Sequence, residues 1–240
     1  MINFNGVDLG NYFIVNKITR SILPLQQTTT QSIPQRAGSF FVGNKDQSKS
    51  IAVDITVIGT DGVLANLRDQ LDEIAGKLSV TKPAPLIFDD EIDKTYYAII
   101  EGDSNLDEIV AIGKGTITFL CPNPHKYETE IQAVSSLGEV SPTVTGNVET
   151  YPTVECTITV DAAEYVIEHV AKAQKVRLIS PFVIGDTISI NFNTGKILIN
   201  GLLRMTTYDF TISRWFTLDP GANVLTVSDD TTIKWRPTWR

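Results

Sequence analysis

The chain has 240 residues, 42% of them hydrophobic and 20% charged, enough for two globular domains of ordinary composition. Its formal net charge is −8, with 11 Lys and Arg against 17 Asp and Glu in residues 1–133 and 9 against 11 in residues 134–240. That balance excludes a module that neutralises phosphates with clustered Lys and Arg, and no run approaches the roughly 18 apolar residues of a membrane span, so membrane insertion is not expected.

In chain order, the opening "MINFNGVDLGNYF" lacks a basic region followed by an apolar run, so the expectation is synthesis in a cytoplasm without a secretory signal. Arg20 to Ser50 form an arm rich in Gln, Thr and Ser, in which Gln26, Thr28, Thr30 and Arg36 surround two apolar anchors, Ile33 and Phe40. Structureless connections of such length are uncommon unless they act. The arm has too few apolar residues to bury itself, and strand addition at the edge of a neighbouring chain is the simplest outlet for its β-formers.

"SIAVDITVIG" (Ser50–Gly59) alternates Ile51, Val53, Ile55 and Val57 on one face against Asp54 and Thr56 on the other, the pattern of a half-buried antiparallel strand. One amphipathic helix is predicted over about residues 62–79. Leu64, Leu67, Leu71, Ile74, Ala75 and Leu78 make its apolar stripe, Arg68, Asp69, Asp72 and Glu73 its wet side, and Thr60 or Asp61 its cap. "KPAP" stops it. A lone amphipathic helix needs a sheet to cover, which makes the first half α+β.

"DDEID" follows, with Asp89, Asp90, Glu91 and Asp93 resembling the start of a calcium loop. Such a loop requires Gly at its sixth position and Glu at its twelfth, and these places hold Lys94 and Ile100, so the expectation is a solvated turn and no metal. "TYYAIIEG" and "GTITFLC" return to the strand pattern, and "CPNPHKY" breaks it with two prolines. The turn-prone stretch 134–150 marks the domain boundary, giving domains 1–133 and 134–240.

The second half reads as about eight short strands separated by Gly, Pro or Asn turns, the spacing of a β-sandwich. "DAAEYVIEHVAKAQ" is ambiguous, and its dense β-branching favours strand and turn. "FTLDPGANVLTV" joins Pro220 and Gly221, suited to a tight reversal, with Asn223, whose side chain bonds local backbone; "WFTL" and "NVLTV" are expected to be neighbouring strands. Overall the chain is mainly β.

No catalytic set emerges. Cys121 and Cys156 lie inside alternating strands and read as buried thiols. His125 and His169 lack metal-ligand spacing, no serine occupies a G-x-S-x-G elbow, and "GDSNLDEIVAIGKG" has no phosphate-cradle spacing. His169 is expected to be half-buried or on the surface rather than a catalytic base. Trp215, Phe216, Trp235 and Trp239 suit a sugar platform or, in preference, sandwich core and interface. The chain is expected to be neither an enzyme nor a cofactor binder.

The order of blocks carries a resemblance. "LPLQQTTTQSIPQRAGSFFVGN", "IAVDITVIG", the helix, "PAPLIFDDEIDKTYYAIIEG" and "GKGTITFLCPNPHKY" are similar to the amino-terminal domain of siphophage distal tail proteins. "YPTVECTITV", "GDTISINFNTGKILINGL", "RWFTLDPGANVLTVS" and "IKWRPTW" resemble their galectin-like carboxy-terminal sandwich. The resemblance spans nearly the whole chain and implies a virion protein at the distal tail tip, the baseplate hub of host adsorption. It implies a homo-hexamer, in one ring or two stacked rings, around a channel where DNA is only in transit. The implied partners are the tail tube protein and a tail-associated lysin or receptor-binding protein. On that reading Gln26, Thr28, Thr30, Ile33, Arg36 and Phe40 belong to the subunit interface, and Asp89, Asp90, Glu91 and Asp93 face the channel. The alternative is a stand-alone galectin-like carbohydrate-binding module for host cell-wall saccharides.

Overall fold

A computed structural model describes residues 2–58, 64–102, 106–109, 112–136 and 138–240, with side chains described for all of these except 64–67, 106–109 and 112. The chain divides into two compact units, Met1–Lys126 with Arg240, and Tyr127–Trp239.

The first unit is built on an eight-stranded sheet. Its elements are β1 (Ile2–Phe4), β2 (Val7–Asp8), β3 (Ile14–Arg20), β4 (Gln26–Ser32), β5 (Ser39–Asp46), β6 (Lys49–Ile58), α1 (Leu64–Leu78), β7 (Ala84–Phe88), β8 (Tyr96–Ile100), β9 (Leu106–Ile109) and β10 (Ile112–Cys121). The sheet order is β2-β1-β7-β8-β10-β6-β3, with β9 also pairing β10 and every pairing antiparallel. The alternation of β6 has the predicted consequence: Ile51, Val53, Ile55 and Val57 are all buried. Each such side chain contributes on the order of 1.5–3 kcal/mol by leaving water. The same parity turns Lys49 inward, directly across from Cys121 in the ladder.

Helix α1 presents Ile74 and Leu78 to this core, with Leu71 packed against it, while Arg68, Asp69, Asp72 and Glu73 face water. Ala75, expected in the stripe, is exposed. The expected caps Thr60 and Asp61 and the side chains of Leu64 and Leu67 lie outside the described residues.

The arm differs from expectation. It folds on itself, β4 pairing β5 from Gln26↔Asp46 to Ser32↔Ser39 with one register shift that leaves Val42 as the extra residue. Local chemistry explains this: Gln35 at φ 65° and Gly38 at φ 85° supply the left-handed positions of the connecting loop. Backbone pairing needs no apolar core, so a polar arm satisfies its own amides while burying almost nothing.

In the second unit, β11 (Lys126–Tyr127) marks the junction and β12 (Ile131–Val134) already pairs within the sandwich. The further strands are β13 (Glu139–Val140), β14 (Thr143–Val144), β15 (Thr153–Thr157), β16 (Ala162–His169), β17 (Gln174–Phe182), β18 (Thr187–Asn191), β19 (Lys196–Ile199), β20 (Leu202–Leu203), β21 (Gly221–Ala222), β22 (Leu225–Val227), β23 (Thr231–Trp235) and β24 (Thr238–Trp239). A six-stranded sheet, β12-β23-β15-β18-β19-β20, and a four-stranded sheet, β13-β22-β16-β17, share a core that includes Val154, Tyr165, Leu178, Ile190, Phe216 and Trp235. The ambiguous segment 161–174 is strand β16 and a turn, as its β-branching favours. "WFTL" and "NVLTV" are not neighbours, however. Leu218 bridges Thr150, whereas β22 pairs β13 and β16, because the reversal at Gly221 instead returns the chain beside Val144.

Candidate functional site

Two features of the first unit carry the residues singled out in the sequence. The first is the β4–β5 ribbon. Every residue of β4 is exposed, and so are Phe40, Phe41 and Val42 of β5, with Phe41 at 68%. Antiparallel register sorts its side chains into two faces. Gln26, Thr28 and Thr30 share one with Asn44 and Phe41; Gln27, Thr29 and Gln31 share the other with Phe40. The first face is laced by Asn44 Nδ2 donating to Gln26 Oε1 at 2.7 Å and Gln26 Nε2 donating to Asp46 Oδ1 at 3.2 Å. On the second, the Arg36 guanidinium sits 4.6 Å from the Phe40 ring centroid. Ile33 lies in the end loop and is exposed.

Asp46 anchors the root of the ribbon. Its carboxylate lies 3.8 Å from His125 Nε2 and 3.4 Å from Arg240 Nε. Burial holds the His125 imidazole below its ordinary pKa, against the pull of Asp46.

The second feature is the acidic turn. Asp89, Asp90 and Glu91 form a single 3-10 turn directly after β7, and Asp93 follows, exposed, before β8. Arg20, from the edge strand β3, bonds Asp90 and reaches Glu91 at 3.3 Å. Glu91 also pairs Lys126, lies 3.9 Å from Lys94 and accepts from the Tyr96 hydroxyl at 3.4 Å. Burial opposes the Arg20 charge, yet Asp90 and Glu91 hold its pKa above the ordinary value. Beneath them Lys49 lies 5.6 Å from the Tyr96 ring centroid; burial, and then Lys126, lower its pKa. Burial and Glu91 push the Tyr96 hydroxyl up to about 12. These carboxylates are thus partly neutralised by cations that sequence reasoning did not connect to them. Arg20 is 71 residues from Glu91, and pattern reading sees only local spacing.

The remaining candidates are structural. His169 is 1% exposed, correcting the expectation of a half-buried or surface ring, because its strand parity points it inward beside Phe216. Cys121 and Cys156 are buried free thiols, each raised by burial to about 11. Phe216 and Trp235 belong to the core, and Trp215 packs against it. A groove of about 550 Å³ on the six-stranded sheet is lined by residues that include Glu155, Thr157, Ile188, Ser189, Leu198 and Asp230, with no aromatic side chain in its wall. Among the described residues, no cluster of three or more His, Cys, Asp or Glu is arranged to hold a metal ion.

Residues 7–121 match the phage tail protein RIFT-related domain, and residues 145–239 match the siphovirus-type tail component C-terminal domain. The chain belongs to the siphophage distal tail protein family. It is 27% identical over 202 residues to the distal tail protein of Bacillus phage SPP1, covering 82% of this chain and 79% of that one. Its fold is similar to the crystal structure of the SPP1 Dit protein, described as a paradigm of hub adsorption apparatus in phages that infect Gram-positive hosts. The TM-score is 0.89 at 20% identity, over 100% of this chain and 98% of the other. A likeness to a chain of the phage P2 baseplate in its activated conformation with calcium has a TM-score of 0.53 at 10% identity, covering 98% and 93%. The protein is accordingly a virion component of the siphophage distal tail.

Proposed function

We propose that six copies of this chain close into a ring that joins the tail tube to the host-adsorption apparatus around a central channel for DNA. The role is structural and non-catalytic. The first domain forms the ring and the second, a galectin-like sandwich, projects from it. Tail tube protein docks on one face, and a tail-associated lysin or receptor-binding protein on the other.

The observation that supports this reading best is the β4–β5 ribbon. A two-stranded hairpin without a covering layer is marginal in water, and this one leaves Phe41 and Val42 exposed beside a row of amide and hydroxyl side chains. Seated on an adjacent copy, the face bearing Gln26, Thr28 and Thr30 exchanges water for polar partners while Phe41 is buried; Ile33, Arg36 and Phe40 complete the contact. The turn of Asp89, Asp90, Glu91 and Asp93 faces the bore, where residual negative charge keeps DNA from adhering. Stand-alone saccharide binding is the weaker reading, because stacking on sugar needs exposed aromatic faces and the sheet groove has none.

Native mass measurement and negative-stain microscopy test the proposal. Full-length protein should give six-fold rings, and a variant with residues 26–46 replaced by a short Gly-Ser link should remain folded but monomeric. Rings formed by the deletion variant would overturn the role of the ribbon.

A further inference from the structure

Asn-Gly occurs twice in the chain, at Asn5–Gly6 and Asn200–Gly201, and both copies are exposed two-residue hairpin turns. The first joins β1 to β2 across the Phe4↔Val7 pair, and the second joins β19 to β20 across Ile199↔Leu202. Their φ angles match. Asn5 and Asn200 both stand at φ 51°, with Gly6 at 79° and Gly201 at 75°, the left-handed pair that this turn requires. Each asparagine also donates its backbone N–H to a strand alongside, Asn5 N to Pro85 O at 2.8 Å and Asn200 N to Thr187 O at 2.8 Å. A Cβ on either glycine would meet nothing within 4 Å, so both turns stand open to water.

The asparagine side chains differ. Asn200 is held at both ends of its amide. Its Oδ1 accepts from Thr187 N at 2.9 Å and from Thr187 Oγ1 at 3.3 Å, and its Nδ2 donates to Asp186 Oδ1 at 2.8 Å. The exposed Asn5 side chain has no hydrogen-bond partner among the described residues. Gly6 has no side chain to shield its amide nitrogen, so rotation of the free Asn5 amide can bring Cγ onto that nitrogen.

We propose that Asn5 is a site of spontaneous deamidation through a cyclic succinimide, and that Asn200 is locked against the same reaction. Gly6 N loses its proton to solvent base and attacks Asn5 Cγ. The bond from Cγ to Nδ2 breaks, and Nδ2 takes up a proton and leaves as ammonia. Water then opens the ring. Addition at Cγ gives aspartate, and addition at the main-chain carbonyl gives isoaspartate, in which the chain runs through Cβ and Cγ. Water is the only co-reactant, and nothing is oxidised or reduced. At Asn200 the three bonds of the amide must loosen first, which sets Asn5 ahead by roughly tenfold or more. Either product adds a negative charge to the β1–β2 turn, and isoaspartate also lengthens its main chain. That turn follows directly on β1, which buries Ile2 and Phe4 and pairs β7 from Ile2↔Phe88 to Phe4↔Leu86. A protein built into a virion is not replaced by synthesis, so the altered turn accumulates with particle age.

Ageing of the purified full-length chain at mildly alkaline pH, read by peptide mass mapping with fragmentation to locate the site, tests this. The peptide containing Asn5 should gain about 1 Da and become a substrate for isoaspartyl methyltransferase, while the peptide containing Asn200 stays unchanged. In the chemically unfolded chain the two should convert at similar rates, since the hold on Asn200 is then gone. Asn5→Gly, which suits the same turn and has no amide to cyclise, should abolish the gain. A gain that persists in Asn5→Gly would place the reaction at another residue and overturn the assignment. Equal conversion of Asn5 and Asn200 in the folded protein, or an inert Asn5 there, would overturn it as well.

Discussion

The Nε2 atom of buried His169 lies 3.1 Å from Oδ1 of Asn223, and that same Oδ1 accepts from Asp219 N at 2.8 Å. The Nδ2 group of Asn223 donates to Asp219 O at 2.8 Å and Gly221 O at 3.0 Å. One amide thus closes the Asp219–Asn223 turn and ties it to strand β16. Asn223→Ala should cost on the order of 2–3 kcal/mol, because it strands several buried polar groups at once. Asn223→Asp removes the donor and should also destabilise. Chemical denaturation with a probe on the second unit measures both, and an unchanged midpoint would refute the assignment.

Gly146 has no room for a side chain. A Cβ there would lie 2.2 Å from Thr238 O and 2.6 Å from Thr238 N, all backbone, so no rotamer change relieves the clash. Gly146→Ala should destabilise by about 3 kcal/mol or prevent folding of the second unit. Gly185→Ala meets no atom within 4 Å but sits at φ 92°, so it should cost only about 1 kcal/mol through backbone strain. Thermal unfolding of the two variants should rank them in that order.

Arg20 and Glu91 are coupled across the first unit. Arg20→Ala should cost about 1–2 kcal/mol, the ion pair being only partly shielded from water. A double-mutant cycle with Glu91→Gln should show positive coupling, and Arg20→Lys should recover only part of it, since a point charge cannot serve both Asp90 and Glu91. Strict additivity would show that the pair is incidental.

The His125 imidazole sets a pH dependence. Burial lowers its pKa in the folded state below the ordinary 6.5, so near and below that pH the unfolded chain binds more protons. Its contribution to stability is therefore present above about pH 6.5 and is lost as pH falls through the folded value. His125→Gln should flatten this part of the stability profile of the first unit, whereas the depressed carboxylates of Asp186, Asp209 and Asp229 act at lower pH. An unchanged slope between pH 7 and 5 in the variant would contradict the account.

The strands were legible because burial on one face of a sheet repeats every second residue, and Ile51, Val53, Ile55 and Val57 repeat it without interruption. The helix was legible for the same kind of reason, at a period of 3.6, although Ala75 shows how a small residue at the stripe's margin can face water. The Asp-Pro-Gly reversal was visible too, since Gly221 at φ 94° uses a conformation that its residue type anticipates.

Other features were decided only by tertiary structure. The sequence by itself determined a mainly β chain, its one helix and the block order that marks its family, all of them properties of neighbouring residues. That Arg20 would meet Glu91 and that Asn223 would bond His169 depended on strand order and register. Those contacts join residues far apart in the chain, and many pairings share the same local pattern. Only the packed sheets choose among them, because a single register buries every inward side chain and satisfies the backbone together.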